Sequence, residues 1–332
     1  MNALNVEMCE SMVEQFATWA SAESVAAIVL DGTGERAFCS GGDVVTTVKA
    51  IRDGGPLRYV YGDRLFAAEY RLVRQIFEYP KPFVCWMHGI TMGAGLGLAV
   101  AAAHRIVSPG ARLAMPETRI GLFPDVGAAW FLGRAPANAG PFLASAGVLL
   151  DSQDALFLGM ADTEIDAARR AELYDRLAEA NLSGDVAGDH DTIARLLATF
   201  EVATARDQGS VAARLDALRR IGQARTVETF HAAIVTEARR DPWFAEPLAN
   251  VDAGSPTSVH VGLEHFRRMK GRSLREVLDA DLKLARAFVR GHDFPEGVRA
   301  ALIDKDRRPV WNPPALDEVL PPQIAVHFAE DR

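Results

Sequence analysis

The 332 residues carry a formal net charge of −8, with 49% hydrophobic and 24% charged side chains. A chain of this length can bury a large core as one domain or two, the usual domain being roughly 100–200 residues, and its balance is that of a soluble globular protein. The acidic excess argues against nucleic acid as the main partner, because neutralising phosphates requires a basic footprint.

Three cysteines, Cys9, Cys39 and Cys85, lie in apolar or glycine-rich contexts without CxxC spacing. That pattern fits a reducing compartment and no structural zinc. The start, MNALNVEMCE, lacks the basic and apolar regions of a signal peptide. The longest apolar run, Gly93 to Ala103, is too short and glycine-rich to span a bilayer. The expectation is a cytoplasmic protein without a membrane partner.

In chain order, Asn5 to Ala20 sets Cys9, Met12, Val13 and Phe16 at helical spacing, with Asn5 placed to cap the start. Val25 to Leu30 is an apolar run of strand length, closed by the turn Asp31-Gly32-Thr33-Gly34. In AFCSGGDVV, Ser40-Gly41-Gly42 permits a backbone that side chains would forbid, and Asp43 can cap the segment after it. From Arg64 to Phe77 the apolar stripe is Leu65, Ala68, Leu72, Val73 and Ile76, and Glu69 falls on the same face. A carboxylate there is costly to bury alone. The favoured expectation is a pairing with a nearby arginine; the alternative is a direct chemical use.

The densest stretch runs from Lys81 to Arg134. It predicts a strand at Phe83 to Met87, a turn through Gly93, Gly95 and Gly97, and an apolar helix over roughly Leu96 to Ala103. A second short strand then leads to two acids, Glu117 and Asp125. A strand feeding a glycine turn and a helix start presents unpaired backbone N–H groups to a ligand oxygen. Beyond lie a helical stretch from Pro141 to Leu150, a polar region rich in Asp and Gly, and helical spacing over Ile193 to Phe200, Val211 to Ile221 and Val227 to Arg239. Gly184 to Asp191 is the best internal boundary, predicting an α/β core over 1–183 and a mainly helical region over 184–332. A short helix ending in a basic cluster is expected within Phe294 to Trp311.

The N–H groups of Gly42 and Ala94, each in a glycine-rich turn between strand and helix, could form an oxyanion hole. The competing reading is two ordinary tight turns. Glu117, after Pro116, and Asp125, after Pro124, are acids on stiff loops and suit a general base and a substrate-positioning partner. Alternatively each caps a helix, Asp125 the one starting near Val126. Eight histidines show no metal-ligand spacing, so no metal is expected. A GxSxG elbow is absent, and the dinucleotide fingerprint fails because positions 98 and 100 are leucine and valine.

AFCSGGDV, HGITMGAGLGL, AMPETRIGLFPDVGAAWFL and DFPEGVRAALIDKDRRPVW together resemble the crotonase (enoyl-CoA hydratase/isomerase) superfamily, and within it the 3-hydroxyisobutyryl-CoA hydrolase branch. The resemblance is densest over Ala37 to Arg134 and weakest over Asn181 to Val251. It implies a spiral of ββα units with a helical C-terminal region completing the CoA site, an acyl-CoA substrate, and no cofactor beyond the CoA of that substrate. It assigns the oxyanion N–H groups to Gly42 and Ala94, with Gly41 and Gly93 as their flanking substrate contacts. Glu117 matches the catalytic acid, Asp125 the hydrolase's second acid, and Glu69 its substrate-contacting glutamate.

Three departures stand out. Ala94 replaces a preferred glycine, and only its N–H is needed. Gly97 occupies the position of the second hydratase glutamate, which favours hydrolysis over water addition. The family's strands ahead of ALN have no counterpart before Met1, and the expectation is an exposed sheet edge. Lys305 and nearby arginines are candidate contacts for CoA phosphates, on the same subunit or on a neighbour in a homo-oligomer. The expected activity is hydrolysis of a short β-hydroxyacyl-CoA, 3-hydroxyisobutyryl-CoA first, with a hydratase/isomerase or a non-catalytic acyl-CoA-binding protein as alternatives.

Overall fold

A computed structural model of the chain describes residues 1–202 and 209–329. The remaining positions, 203–208 and 330–332, fall in the predicted helical region and lie outside the described residues. Two compact units divide the chain. One comprises Met1–Gly41, Arg71–Leu113 and Leu149–Ala213, the other Gly42–Tyr70, Ala114–Val148 and Arg214–Arg332.

Among the described residues, seven short strands form two sheets. They are β1 (Ile28–Asp31), β2 (Ala37–Cys39), β3 (Phe83–Met87), β4 (Ile90–Met92), β5 (His104–Val107), β6 (Arg112–Ala114) and β7 (Thr163–Glu164). The odd strands make a parallel sheet in the order β1-β3-β5-β7, and the even ones a sheet in the order β2-β4-β6. Successive strands therefore alternate between sheets. Helices come after each strand pair in the sequence, at Val44–Asp53 and Val60–Phe77 after β2 and at Ala94–Ala101 after β4. This is the succession of ββα units that the family resemblance implies.

Strand β3 matches its predicted span, and all five of its residues are buried, as a continuous apolar run in a parallel sheet requires. Val84, Trp86 and Ile106 pack with Ile165, Leu173, Ile193, Leu197 and Phe200 into the core of the first unit. Each such burial contributes about 1.5–3 kcal/mol. The helix Val6–Ser21 is capped by Asn5, whose Oδ1 accepts the Met8 N–H at 2.8 Å. Its buried Phe16 meets Phe83 edge-on at 5.3 Å. At its C-terminal end Lys81 Nζ donates to the carbonyls of Trp19 and Ala22, both at 2.7 Å, where a cation suits the helix dipole.

Some elements differ from expectation. Strand β4 is not predicted, since three residues between Gly89 and Gly93 are too few to show alternation. The helix after it begins at Ala94 rather than Leu96, because Gly93 (φ 53, ψ −125) turns the chain directly into it. Gly95 is needed at the next position: an added Cβ would lie 2.5 Å from the Cys39 carbonyl oxygen. The helix Gly140–Ser145 is shorter than predicted, ending before Gly147 at φ +54. The polar stretch around Gly184 begins a helix, Val186–Ala198, with Asp185 as its cap. Buried Asp189 there accepts from the N–H groups of Ser183 and Gly184 at 2.7 and 2.9 Å.

The second unit is mainly helical. Its longer helices include Val227–Ala238, Pro256–Arg268 and Leu274–Arg290, the last opened by a Ser273/Glu276 capping box. Asp293–Val298 runs into a π-helical turn, Arg299–Ile303, so the predicted helix near Phe294 is present. Arg299 in the expected basic cluster is engaged by Glu296, Asp304 and Asp306 at 2.6 to 2.8 Å.

Candidate active site

Four of the sequence-predicted residues come together inside the second unit. Glu69 sits on the helix Val60–Phe77, on the apolar face, and is 2% exposed. The expected arginine partner is not found among the described residues: Glu69 Oε1 makes no hydrogen bond. Burial, then the Asp125 carboxyl and then that of Asp43, push its pKa well above the usual carboxylate range. Gly42 makes room for it, since a Cβ added there would lie 2.3 Å from Glu69 Oε1. The glycine and the glutamate, more than twenty-five positions apart in sequence, thus meet in the fold.

Glu117 opens the short 3-10 turn Glu117–Ile120 and is 5% exposed, with Oε2 making no hydrogen bond. Burial raises its pKa well above normal; the Asp125 and Glu69 carboxyls push the same way, against a backbone hydrogen bond. Its turn is pinned from several sides. Ser255 N–H donates to the Thr118 carbonyl at 2.9 Å, and Thr118 Oγ1 donates to the Ser145 carbonyl at 3.0 Å. A Cβ on Gly297 would lie 2.4 Å from the Ile120 carbonyl carbon.

Gly121 ends this turn in the left-handed region at φ +71, and a Cβ there would lie 2.1 Å from the Asp293 carbonyl oxygen. Both backbone conformation and space require glycine. Gly121→Ala is expected to cost about 3 kcal/mol of stability, the overpacking and backbone penalties combined. Urea unfolding checks it, and an unchanged midpoint would contradict the tight contact.

Asp125 is 3% exposed and accepts a hydrogen bond from the Tyr70 hydroxyl at 2.5 Å. Burial is the main cause of a pKa pushed up to about 7; the Tyr70 bond opposes the rise and the Asp281 carboxyl adds to it. The capping alternative for Asp125 does not hold for its side chain. Val126 and Gly127 are both left-handed (φ 48 and 85), so the helix starts only at Ala128. The Gly127 N–H donates to Asp281 Oδ2 at 2.8 Å.

Tyr70, Asp281 and His265 are parts of the site that the sequence reading misses. Asp281 is fully buried, and its Oδ1 accepts from His265 Nε2 at 2.6 Å. A signal for both is available. Asp281 lies on the apolar stripe Leu274, Val277, Leu278, Leu284, Ala285 and Phe288, and His265 on the buried face with Val261 and Phe266.

Gly41 (φ +110), Gly93 and Ala94 belong to the first unit. Ala94 is the first residue of its helix, so its N–H is among those without an intrahelical acceptor. Lys305 is exposed at φ +58, outside the buried carboxyl group. Among the described residues, no group of three or more His, Cys, Asp or Glu side chains is arranged to hold a metal ion. No helix among them is long and apolar enough to cross a membrane.

Chemically, three buried acids whose pKa values are all raised, those of Glu69 and Glu117 in part by Asp125, can hold a proton and a base in the same place. The family described as enoyl-CoA hydratase/isomerase matches residues 1–328. The chain is 36% identical over 321 residues to a mitochondrial 3-hydroxyisobutyryl-CoA hydrolase of Gallus gallus, covering 96% of this chain and 81% of that protein. It is 33% identical over 340 residues to the small ribosomal subunit protein mS47 of Neurospora crassa, covering 96% of this chain and 65% of that one. A carnitinyl-CoA dehydratase structure from Mycobacterium thermoresistibile superposes with a TM-score of 0.87 at 31% identity, covering 99% of this chain and 90% of that one. With its alternating parallel sheets and helical C-terminal region, the chain belongs to the enoyl-CoA hydratase/isomerase family, the crotonase superfamily that its motifs resemble.

Proposed function

We propose that the chain hydrolyses a short β-hydroxyacyl-CoA thioester, with 3-hydroxyisobutyryl-CoA as the first choice and valine breakdown as the setting. The observation that carries this reading is the buried Glu117 with one oxygen free of hydrogen bonds, beside a second acid, Asp125, whose pKa lies near neutrality. The hydrolase name of the Gallus relative supports it. So does Gly97, which stands where the resemblance puts the second hydratase glutamate.

In this mechanism the amides of Gly42 and Ala94 take the charge that develops on the thioester oxygen, flanked by Gly41 and Gly93. Glu117 either attacks the carbonyl carbon, expelling CoA thiolate and leaving an anhydride that water opens, or removes a proton from the attacking water. Asp125 and Glu69 hold the substrate's β-hydroxyl. At neutral pH both forms of Asp125 are available, so it can accept from that hydroxyl or donate to it. Lys305 is the proposed contact for a CoA phosphate, and the reaction needs no cofactor. Cytoplasmic placement belongs to the same proposal, the Gallus relative being named as mitochondrial.

Two other readings have specific support: the dehydratase name of the Mycobacterium protein points to water addition or removal, and the ribosomal relative to a role without turnover. Incubation with 3-hydroxyisobutyryl-CoA, 3-hydroxypropionyl-CoA and crotonyl-CoA separates them. Free thiol from the two hydroxyacyl esters is the expected result. Hydration of crotonyl-CoA without thiol release would transfer the chain to the hydratases, and binding of all three without reaction would make it a non-catalytic binder.

A further inference from the structure

We propose that Asp281, seated on His265, is a positioning residue that fixes the Asp125 loop and sets the charge state of Asp125. The inference rests on the hydrolase reading for its role in turnover, and for the rest on the hydrogen bonds that hold the loop and on the carboxyl they fix near Asp125.

The loop after Asp125 is conformationally costly. Val126 is β-branched and stands at φ 48, where such residues are outliers, and Gly127 comes next at φ 85. Two successive left-handed residues persist only where the surroundings hold them. Two hydrogen bonds do so: Ala128 N–H to the Asp125 carbonyl at 2.8 Å, within the loop, and Gly127 N–H to Asp281 Oδ2 at 2.8 Å, from outside it. The second links positions 154 residues apart, inside the buried part of the unit.

Asp281 is itself held. Its other oxygen accepts from His265 Nε2, and both side chains are fully buried. A carboxylate acceptor places the imidazole proton on Nε2, and Nδ1 makes no hydrogen bond. Both oxygens of Asp281 are thus committed, one to the loop and one to the ring. The carboxyl therefore stays at a fixed place relative to Asp125.

The titratable groups around Asp125 come from several elements. Tyr70 and Glu69 face it from the helix Val60–Phe77, Glu117 from the preceding turn, and Asp281 from the helix Leu274–Arg290, with His265 behind Asp281. Among the described side chains the Tyr70 hydroxyl is the donor to Asp125, and the Asp281 carboxyl opposes its ionisation. Asp281 differs from Glu69 and Glu117, each with an oxygen that makes no hydrogen bond, in that both of its oxygens are held, by Gly127 and His265. It therefore biases Asp125 toward the protonated form whatever occupies the site.

The test is Asp281→Asn, which keeps an acceptor for Gly127 and removes the charge, with Asp281→Ala and the double variant Val126→Gly/Asp281→Ala beside it. The carboxylic-acid infrared band of Asp125, identified by its loss in Asp125→Asn, is followed against pH with no substrate present. In Asp281→Asn this band is expected to disappear at lower pH than in the wild type, by one unit or more. The acid limb of kcat for thiol release should move in the same direction, with KM nearly unchanged. Asp281→Ala should lower kcat at least tenfold, and Val126→Gly should restore part of the loss by relieving the loop.

An Asp125 band that titrates as in the wild type in Asp281→Asn would overturn the proposal. So would loss of activity in Asp281→Ala that merely tracks its melting temperature and is not restored by Val126→Gly. If the wild type releases no thiol at all, the hydrolase reading fails, while the infrared titration still decides whether Asp281 governs Asp125.

Discussion

Glu117→Gln is expected to lower kcat for thiol release from 3-hydroxyisobutyryl-CoA by about 10²–10⁴-fold, the usual worth of a positioned acid or base, with little change in KM. The substitution keeps the shape of the side chain and removes its ability to ionise. The wild-type carboxyl is buried, and its pKa is raised by burial first and by Asp125 next, so its ionised form is a stronger base than a solvated glutamate. The glutamine has neither the nucleophilic oxygen nor the proton-accepting one. Because the buried position disfavours charge, the variant should also fold at least as stably as the wild type at neutral pH. Single-turnover kinetics with thermal melts check both parts, and undiminished turnover in Glu117→Gln would remove this residue from the chemistry.

The second large effect concerns stability against pH. The ordinary pKa of an aspartic acid is 3.8, and in the folded chain that of Asp125 rises to about 7. Between these values the folded state binds a proton that the unfolded state has released, so stability falls as pH rises through that window. Below the lower value this penalty is absent, and above the upper one it is complete. At 1.36 kcal/mol per unit it amounts to on the order of 4 kcal/mol. Asp125→Asn has no such proton to lose. The stability of the variant relative to wild type should therefore grow from pH 4 to pH 7 by about that amount, as measured by urea unfolding at each pH. A difference that stays constant across the window would show that Asp125 ionises as freely in the folded chain as outside it.

The legible parts of this chain are those with a local signature. Asn5 and Asp43 announce their helices, FVCWM a doubly buried strand, and the proline-stiffened acids Glu117 and Asp125 draw attention in sequence and lie together in the fold. Glu69 is legible as a carboxyl on an apolar stripe. Its expected arginine is wrong, because its neighbours are other acids and protonation takes the place of pairing. Strand β4 is too short to show a period. Asp125 looks like a cap because nothing nearby foretells a left-handed valine at 126. Asp281 and His265 are hidden by distance along the chain rather than by chemistry: both sit on apolar faces, and the test applied to Glu69 would find them.

The clamps on the acids have a consequence for synthesis on the ribosome. Glu117 and Asp125 emerge early, whereas Ser255, Asp281, Asp293 and Gly297, which pin their turns, are translated much later. A nascent chain that already carries Glu69, Glu117 and Asp125 still lacks these pins, so the proposed thioester cleavage is expected only after Gly297 has been translated.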